Sequence, residues 1–212
     1  VADLLLEPLL LGLNGRSIVH GTSPLVGKLG ERLLAPSLTI WDDPTIPYSP
    51  GSRPCDDEGV PSQRLPLVQS GVISNFLFDL QTAGQAGAQS TGSATRSPGS
   101  LPRPDSSVVI IEPGETSFST MIASQKEALI VDSLLGAGQG NILGGDFSAN
   151  ILLGYRIKDG AVVGRVKNTV IAGNVYQVLR EIEMLGAETQ WVDGSLQSPA
   201  ICCQGVAISQ ND

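Results

Sequence analysis

The sequence predicts an α+β, β-rich fold: antiparallel hairpins in a barrel-like or mixed sheet, with two to four short helices. Three observations lead there. The chain holds 25 Gly and 14 Pro among 212 residues, a density of chain-reversal residues that suits short strands joined by turns. Several apolar runs are separated by hairpin punctuation, Gln69-Ser70-Gly71 and Asp159-Gly160 above all. Helical periods occur, but they do not alternate with strands in a βαβ register, which argues against a parallel doubly wound sheet. The length fits one domain spanning residues 1–212, large enough to bury roughly 70% of its unfolded surface without a metal or disulfide.

The elements follow in order. Ala2 to Leu13 reads as a helix, with Asp3 placed to cap it and Gly12 near its end. A Gly- and Ser-rich loop follows, then Lys28 to Leu34 as a helical piece. Ser37 to Trp41 is a strand closed by Asp42-Asp43-Pro44. From Pro44 to Pro61 five prolines and the acidic run Asp56-Asp57-Glu58 leave no period, which marks an ordered loop or lid. Arg64 to Val68 and Val72 to Phe78 form a hairpin, and Asp79 to Ala86 a helix. Gly87 to Ser107 is Gly, Ser, Pro and Thr with hardly any apolar anchor, so it is expected to be a mobile surface loop. Val108 to Ile111 is a strand, Ser117 to Lys126 a helix capped by Ser117, and Ala128 to Leu134 a strand leading into the Gly-rich loop Gly136 to Gly145. Ile151 to Lys158 and Ala161 to Lys167 flank the Asp159-Gly160 turn. Asn174 to Leu185 has helical spacing at Val175, Val178, Leu179, Ile182 and Leu185, with Gly186 as its stop. Ala200 to Ile208 is the final strand.

Charge and cysteine content exclude several classes. Thirteen basic against 21 acidic side chains give a net charge of −8 and a pI near 4.6, which argues against nucleic acid and anionic membranes as partners. The apolar run Leu4 to Leu13 is interrupted by Glu7 and Pro8, and is too short to span a bilayer. Cys55, Cys202 and Cys203 are odd in number and two are adjacent, so a disulfide framework is not expected, and a reduced, cytoplasmic setting fits. A start at Val1 rather than Met is read as a processed chain or a piece of a longer protein whose missing part lies upstream.

Residues with chemistry are few. Gly136-Ala137-Gly138-Gln139-Gly140 lacks the Lys-Ser/Thr pair of a phosphate loop and reads as a turn-rich connection. His20 alone, in a Gly-Thr-Ser loop, provides no general base for a serine nucleophile. Asp56, Asp57 and Glu58 could attract a hard cation, but consecutive carboxylates splay apart. A solvated loop, or one paired with Arg53 and Arg64, is the expected use. One of Cys202 and Cys203 is expected to face the core as a small hydrophobe.

Several segments in order resemble the carboxyl-terminal domain of the TldD/PmbA family, the so-called modulators of DNA gyrase. They are Gly27-Lys28-Leu29-Gly30-Glu31, Leu38 to Pro44, Gly51-Ser52-Arg53-Pro54, Asp56-Asp57-Glu58-Gly59-Val60-Pro61, Ser90-Thr91-Gly92-Ser93-Ala94, Glu112-Pro113-Gly114, Gly145-Asp146-Phe147-Ser148 and Ile171-Ala172-Gly173-Asn174. The resemblance implies an amino-terminal α/β domain upstream of this chain. It also implies a cavity formed with a sister subunit, in which extended or unfolded peptides are handled. TldD-type subunits are zinc proteases with an HExxxH helix and a downstream Cys ligand. Here Leu6-Glu7-Pro8-Leu9-Leu10-Leu11 occupies that place, with Leu6 and Leu11 in the histidine slots and Glu7 as the surviving acid.

A leucine side chain has no donor for zinc, and Trp191 to Pro199 is too short for the Cys-bearing insertion. The chain therefore resembles a PmbA/TldE-type partner without metal, cofactor or catalytic residue of its own. Its expected partners are a TldD-like sister subunit or a second copy of itself, with extended peptide as the ligand. Arg53, Asp56, Asp57 and Glu58 form the family-motif loop, and Ser90, Thr91, Gly92, Asp146, Phe147, Ser148 and Asn174 are the expected cavity residues. A metallopeptidase with ligands rearranged onto His20, Glu7 and a cysteine, and a binding module unrelated to proteolysis, are the alternatives.

Overall fold

The computed structural model describes residues 1–137 and 140–210. In chain order the elements are α1 (Ala2–Leu13), α2 (Gly15–Val19), β1 (Ile40–Asp42), β2 (Leu65–Gln69), β3 (Val72–Ile73), α3 (Leu80–Ala86), β4 (Ala94–Thr95), β5 (Arg103–Pro104), β6 (Val109–Ile111), α4 (Phe118–Ser124), β7 (Glu127–Leu135), β8 (Asp146–Lys158), β9 (Ala161–Arg165), β10 (Thr169–Asn174), α5 (Val175–Arg180), β11 (Ile182–Val192), β12 (Leu196–Cys203) and β13 (Ala207–Gln210). The fold is α+β and β-rich with mixed sheets, as the sequence predicts, and no barrel closes among the described residues. The chain divides into two compact units.

The first unit comprises Val1–Leu9, Pro113–Thr189 and the chain from Pro199 on. Its main sheet runs β13-β10-β8-β7, with β9 also paired to β8. Along β8, Phe147, Ala149, Ile151 and Ile157 are buried while Asp146, Ser148 and Asn150 are exposed, the period-two signature of a sheet wet on one side. The β8–β9 turn sits where Asp159-Gly160 predicts it, both residues at positive φ. Helix α5 buries Val175, Val178 and Leu179, an i, i+3, i+4 set whose burial contributes about 2 kcal/mol per side chain.

The second unit comprises Leu10–Glu112 and Gln190–Ser198. The tips of β11 and β12 join β6, β1, β2 and β3 there, in that order. The β12–β6 contact is parallel, unlike the hairpin pairs around it. Ile40, Leu67, Val68, Ile73 and Ile111 are fully buried along these strands, as is Leu38 just ahead of β1. Helix α3 opens on a capping box in which the Asp79 carboxylate accepts from the Thr82 amide at 2.7 Å and the Asp79 amide donates back to the Thr82 hydroxyl at 3.2 Å.

Four sequence expectations are corrected. Lys28 to Leu34 is not helical: Gly30 adopts φ +81, its amide donates to the Ile73 carbonyl at 2.8 Å, and Arg32 bridges Val72. Only glycine takes that backbone geometry without strain. The helix expected from Asn174 to Leu185 stops at Arg180, and Ile182 and Leu185 are core positions of β11 instead. The final strand from Ala200 to Ile208 is two strands, β12 beginning earlier at Leu196 and β13 resuming after Gln204–Val206. The stretch from Gly87 to Ser107 is not an unpaired loop, because β4 and β5 pair within it and Ser93 and Ala94 are buried. Gly136-Ala137-Gly138-Gln139-Gly140 falls in part on residues 138–139, outside the described residues.

Candidate functional site

The proline-rich acidic loop is the most elaborated polar structure of the second unit. Asp56 is 4% exposed. Its Oδ1 accepts from the amides of Glu58 at 3.0 Å and Val60 at 2.9 Å, and its Oδ2 from the amide of Ala94 at 3.0 Å. The Asp57 carboxylate accepts from the Arg96 amide at 2.7 Å, and that of Glu58 from the Leu80 amide at the start of α3 at 2.7 Å. The acidic run therefore satisfies main-chain donors, and the arginine pairing expected from sequence is not what these carboxylates do. A backbone amide is a fixed, pre-paid donor, whereas an arginine side chain must lose rotamer freedom to pair.

The two arginines have other partners. Arg64 stacks on the Trp41 ring with its guanidinium carbon 4.1 Å from the centroid and stands 3.5 Å from Asp43 and 3.9 Å from Glu112. Trp41 donates its indole N–H to Glu112 at 2.8 Å, so this group ties β1 to the segments on either side of it. Arg53 donates from Nη1 to the Ala94 carbonyl at 2.9 Å. Below it Asp42 is buried, its Oδ1 accepting from the amides of Ser107 at 2.8 Å and Val108 at 3.0 Å. Burial pushes the Asp42 carboxyl up to about 6, against the opposing pull of those two bonds and of the Arg53 charge.

The Ser90-Thr91-Gly92 segment lies against the same loop. The Thr91 hydroxyl accepts from the Phe78 amide at 2.8 Å, and Gln63 donates to the Thr91 carbonyl at 3.4 Å. Gly92 passes so close to Pro61 that a Cβ there would stand 2.7 Å from its carbonyl oxygen. Arg53, Asp56, Asp57, Glu58 and Ser90 to Gly92 are thus brought together in one unit. Asp146, Phe147, Ser148 and Asn174 gather in the other. Asn174 donates to Asp146 at 2.9 Å and to the Gly144 carbonyl at 2.8 Å, and its Oδ1 caps α5 through the Tyr176 amide at 3.0 Å. Ser148 faces solvent, while Phe147 is a buried core residue.

The positions that resemble zinc ligands do not fit a zinc ion. Leu6 is 2% exposed and Leu11 39% exposed, as expected for residues about 140° apart on a helix, and neither carries a donor atom. Glu7 and His20 are exposed. Cys202 and Cys203 are half-buried, so neither is the fully buried hydrophobe expected. Burial, reinforced by Glu183, raises the Cys202 thiol, and burial with Cys202, Glu183 and Glu181 nearby pushes Cys203 up to about 11. Thiols held protonated are poor ligands and poor nucleophiles. Among the described residues no group of three or more His, Cys, Asp or Glu side chains stands where it could hold a metal ion, and no helix is long and apolar enough to cross a membrane.

The α+β architecture, with its amide-clasped Asp-Asp-Glu-Gly loop, is that of a metallopeptidase-family carboxyl-terminal domain. The chain belongs to the PmbA/TldA metallopeptidase C-terminal domain family, which matches residues 1–210. It is similar to the crystal structure of TldE from Thermococcus kodakarensis, with a TM-score of 0.90 and 32% identity, over 99% of this chain and 48% of that one. An uncharacterised protein of Methanocaldococcus jannaschii is 31% identical over 207 residues, 98% of this chain and 48% of the relative. A metalloprotease TldD homolog of Haemophilus influenzae is 32% identical over 180 residues, 84% of this chain and 37% of the relative. The chain spans less than half the length of these relatives.

Proposed function

We propose that the chain is the carboxyl-terminal part of a PmbA/TldE-type subunit that has no zinc site of its own and partners a TldD-type metalloprotease in processing extended peptides. The observation that carries this reading is the donor set of α1: leucine at both histidine positions, with Leu6 buried at 2% exposure. Similarity to TldE from Thermococcus kodakarensis supports the TldE-type assignment. The end strands β7 and β13 of the first unit's sheet supply main-chain donors and acceptors to which an extended peptide can add by β-augmentation, whatever its sequence. Leu135, Leu152, Val162 and Val163 of that unit are exposed, apolar surface suited to a sister subunit or a second copy. The net charge of −8 supports a role away from nucleic acid and anionic membrane.

The test is co-purification from the native host, followed by zinc analysis of the isolated chain and a peptidase assay with and without chelator. A TldD-type partner, zinc far below one ion per chain and no cleavage by the chain alone are expected. Chelator-sensitive cleavage by the chain alone, abolished by Glu7→Gln, would overturn the reading.

A further inference from the structure

Around Trp41 a cation sits loosely in a seat that is itself firmly held. Trp41 lies on β1, and its indole N–H donates to Glu112 Oε1 at 2.8 Å. Glu112 follows β6, which pairs with β1, and its amide donates to the Thr39 carbonyl at 3.0 Å. Asp43 is 8% exposed, and its Oδ1 accepts from the Thr45 amide at 3.0 Å and the Thr45 hydroxyl at 2.5 Å. None of these bonds involves Arg64. The indole face and the two carboxylates at its rim are therefore positioned independently of the cation between them.

Arg64 is the poorly secured member. Its guanidinium carbon lies 4.1 Å from the Trp41 centroid. Its Nε stands 3.5 Å from Asp43 Oδ2 and its Nη2 3.9 Å from Glu112 Oε1, and neither contact makes a hydrogen bond. Half of the Arg64 side chain is exposed, so a rotamer change carries it off the ring into water. Asp43 Oδ2 accepts no hydrogen bond from the described residues, although buried carboxylate oxygens are nearly always satisfied. A π face rimmed by two carboxylates is suited to a planar cation, which can stack on the ring and address both acids at once. A compact ammonium cannot do both.

We propose that this seat is an exchangeable guanidinium-binding site, filled by Arg64 as an internal stand-in and taken over by an arginine side chain of an extended peptide. The peptide as occupant rests on the peptide-handling role proposed above, whereas the guanidinium chemistry does not. A ligand that must displace Arg64 binds more weakly in proportion to the small fraction of open seats, so removing Arg64 exposes the intrinsic affinity. The test compares the whole chain with Arg64→Ala, each carrying Trp191→Phe so that Trp41 is the sole tryptophan. Ethylguanidinium and neutral ethylurea are titrated against Trp41 fluorescence. A fluorescein-labelled alanine-rich peptide with one arginine, and its citrulline counterpart, are followed by anisotropy.

Arg64→Ala is expected to bind ethylguanidinium saturably, and ethylurea about tenfold or more weakly, because only the cation is drawn to the ring and the carboxylates. The arginine peptide is expected to bind Arg64→Ala about tenfold tighter than it binds the parent chain, and about tenfold tighter than the citrulline peptide does. Glu112→Gln keeps an oxygen for the Trp41 indole while losing one charge, and is expected to weaken ethylguanidinium several-fold. Arg64→Gln carries the same comparisons should alanine loosen the loop. Equal responses to ethylguanidinium and ethylurea in Arg64→Ala overturn the site, and a parent chain that binds as tightly as Arg64→Ala overturns the stand-in role. Arginine and citrulline peptides binding alike, with ethylguanidinium still preferred to ethylurea, overturn the peptide assignment. Stoichiometric zinc in the isolated chain refutes the partner-subunit reading but leaves the ethylguanidinium preference standing, so the two failures are distinguishable.

Discussion

Replacing Asp56 with alanine removes a carboxylate that is 4% exposed and accepts three backbone N–H groups, from Glu58, Val60 and Ala94. Hydrogen bonds to a charged acceptor contribute about 1.5–3 kcal/mol each, but an orphaned donor costs its full desolvation only where water cannot reach it. The Glu58 and Val60 amides lie in a partly exposed turn and can rehydrate, so about 1 kcal/mol apiece is assigned to them. Ala94 is 0% exposed, and its stranded amide costs about 1–3 kcal/mol. The sum is about 3–5 kcal/mol, which at about 2–4 °C per kcal/mol for a chain of this size lowers Tm by roughly 6–20 °C. Asp56→Asn is expected to lose about half as much, since its amide nitrogen must face a donor. Calorimetric and urea melts measure both variants. A loss under about 1 kcal/mol for Asp56→Ala, or a larger loss for Arg64→Ala, refutes the view that amides rather than arginines hold this loop.

Two further outcomes follow from groups already described. Because burial raises Asp42 to about 6 from 3.8, the folded chain binds more protons than the unfolded chain between those values, and this group's contribution to stability falls as pH rises through that window. Asp42→Asn keeps an oxygen for the Ser107 and Val108 amides, so it should flatten the wild-type slope between pH 4 and 6 and stabilise the chain by about 1–3 kcal/mol at pH 7; identical pH profiles in urea denaturation would contradict this. The double variant Leu6→His, Leu11→His should bind less than stoichiometric zinc after dialysis and hydrolyse no peptide, because the two positions diverge by about 140° on the helix; one tightly held zinc per chain would contradict it.

Local structure is legible in the sequence where one residue type dictates one geometry. Asp159-Gly160 predicts its turn, Ser117 and Asp79 mark the starts of α4 and α3, and α1 ends where Gly12 and Leu13 place it. Reading fails where tertiary pairing overrides period. Ile182 and Leu185 continue a helical spacing from Val175, yet β-pairing claims them for β11, and short apolar runs cannot be told apart by period alone. The Gly87 to Ser107 segment has a disorder-like composition, but the amide of buried Ala94 donates to Asp56, a contact over 38 residues that no local pattern announces. Similarly, charge counting suggests ion pairs for Asp56, Asp57 and Glu58, whereas the donors that satisfy them are main-chain groups and leave no trace in side-chain composition.

On the partner-subunit reading proposed above, the residues of α1 that resemble the HExxxH frame form a set in physical terms. Leu6 is 2% exposed, so a leucine there gains about 2 kcal/mol from burial, whereas an imidazole without metal would be a desolvated polar group. Pro8, two residues on, has no N–H and removes one bond from the helix ladder. Its carbonyl accepts from the Tyr176 hydroxyl at 3.0 Å, and burial pushes that hydroxyl's pKa up to about 12, so it stays a donor at any ordinary pH. The start of α1 is thereby anchored within the first unit by packing and by a neutral hydrogen bond. On the non-catalytic reading, restoring a histidine at position 6 costs the leucine's burial at once. It returns nothing until Leu11 and a further ligand are restored with it, since one imidazole and one carboxylate make too few ligands for zinc. The step at position 6 is therefore uphill in stability on its own, whereas Leu11, at 39% exposure, sets no such packing barrier.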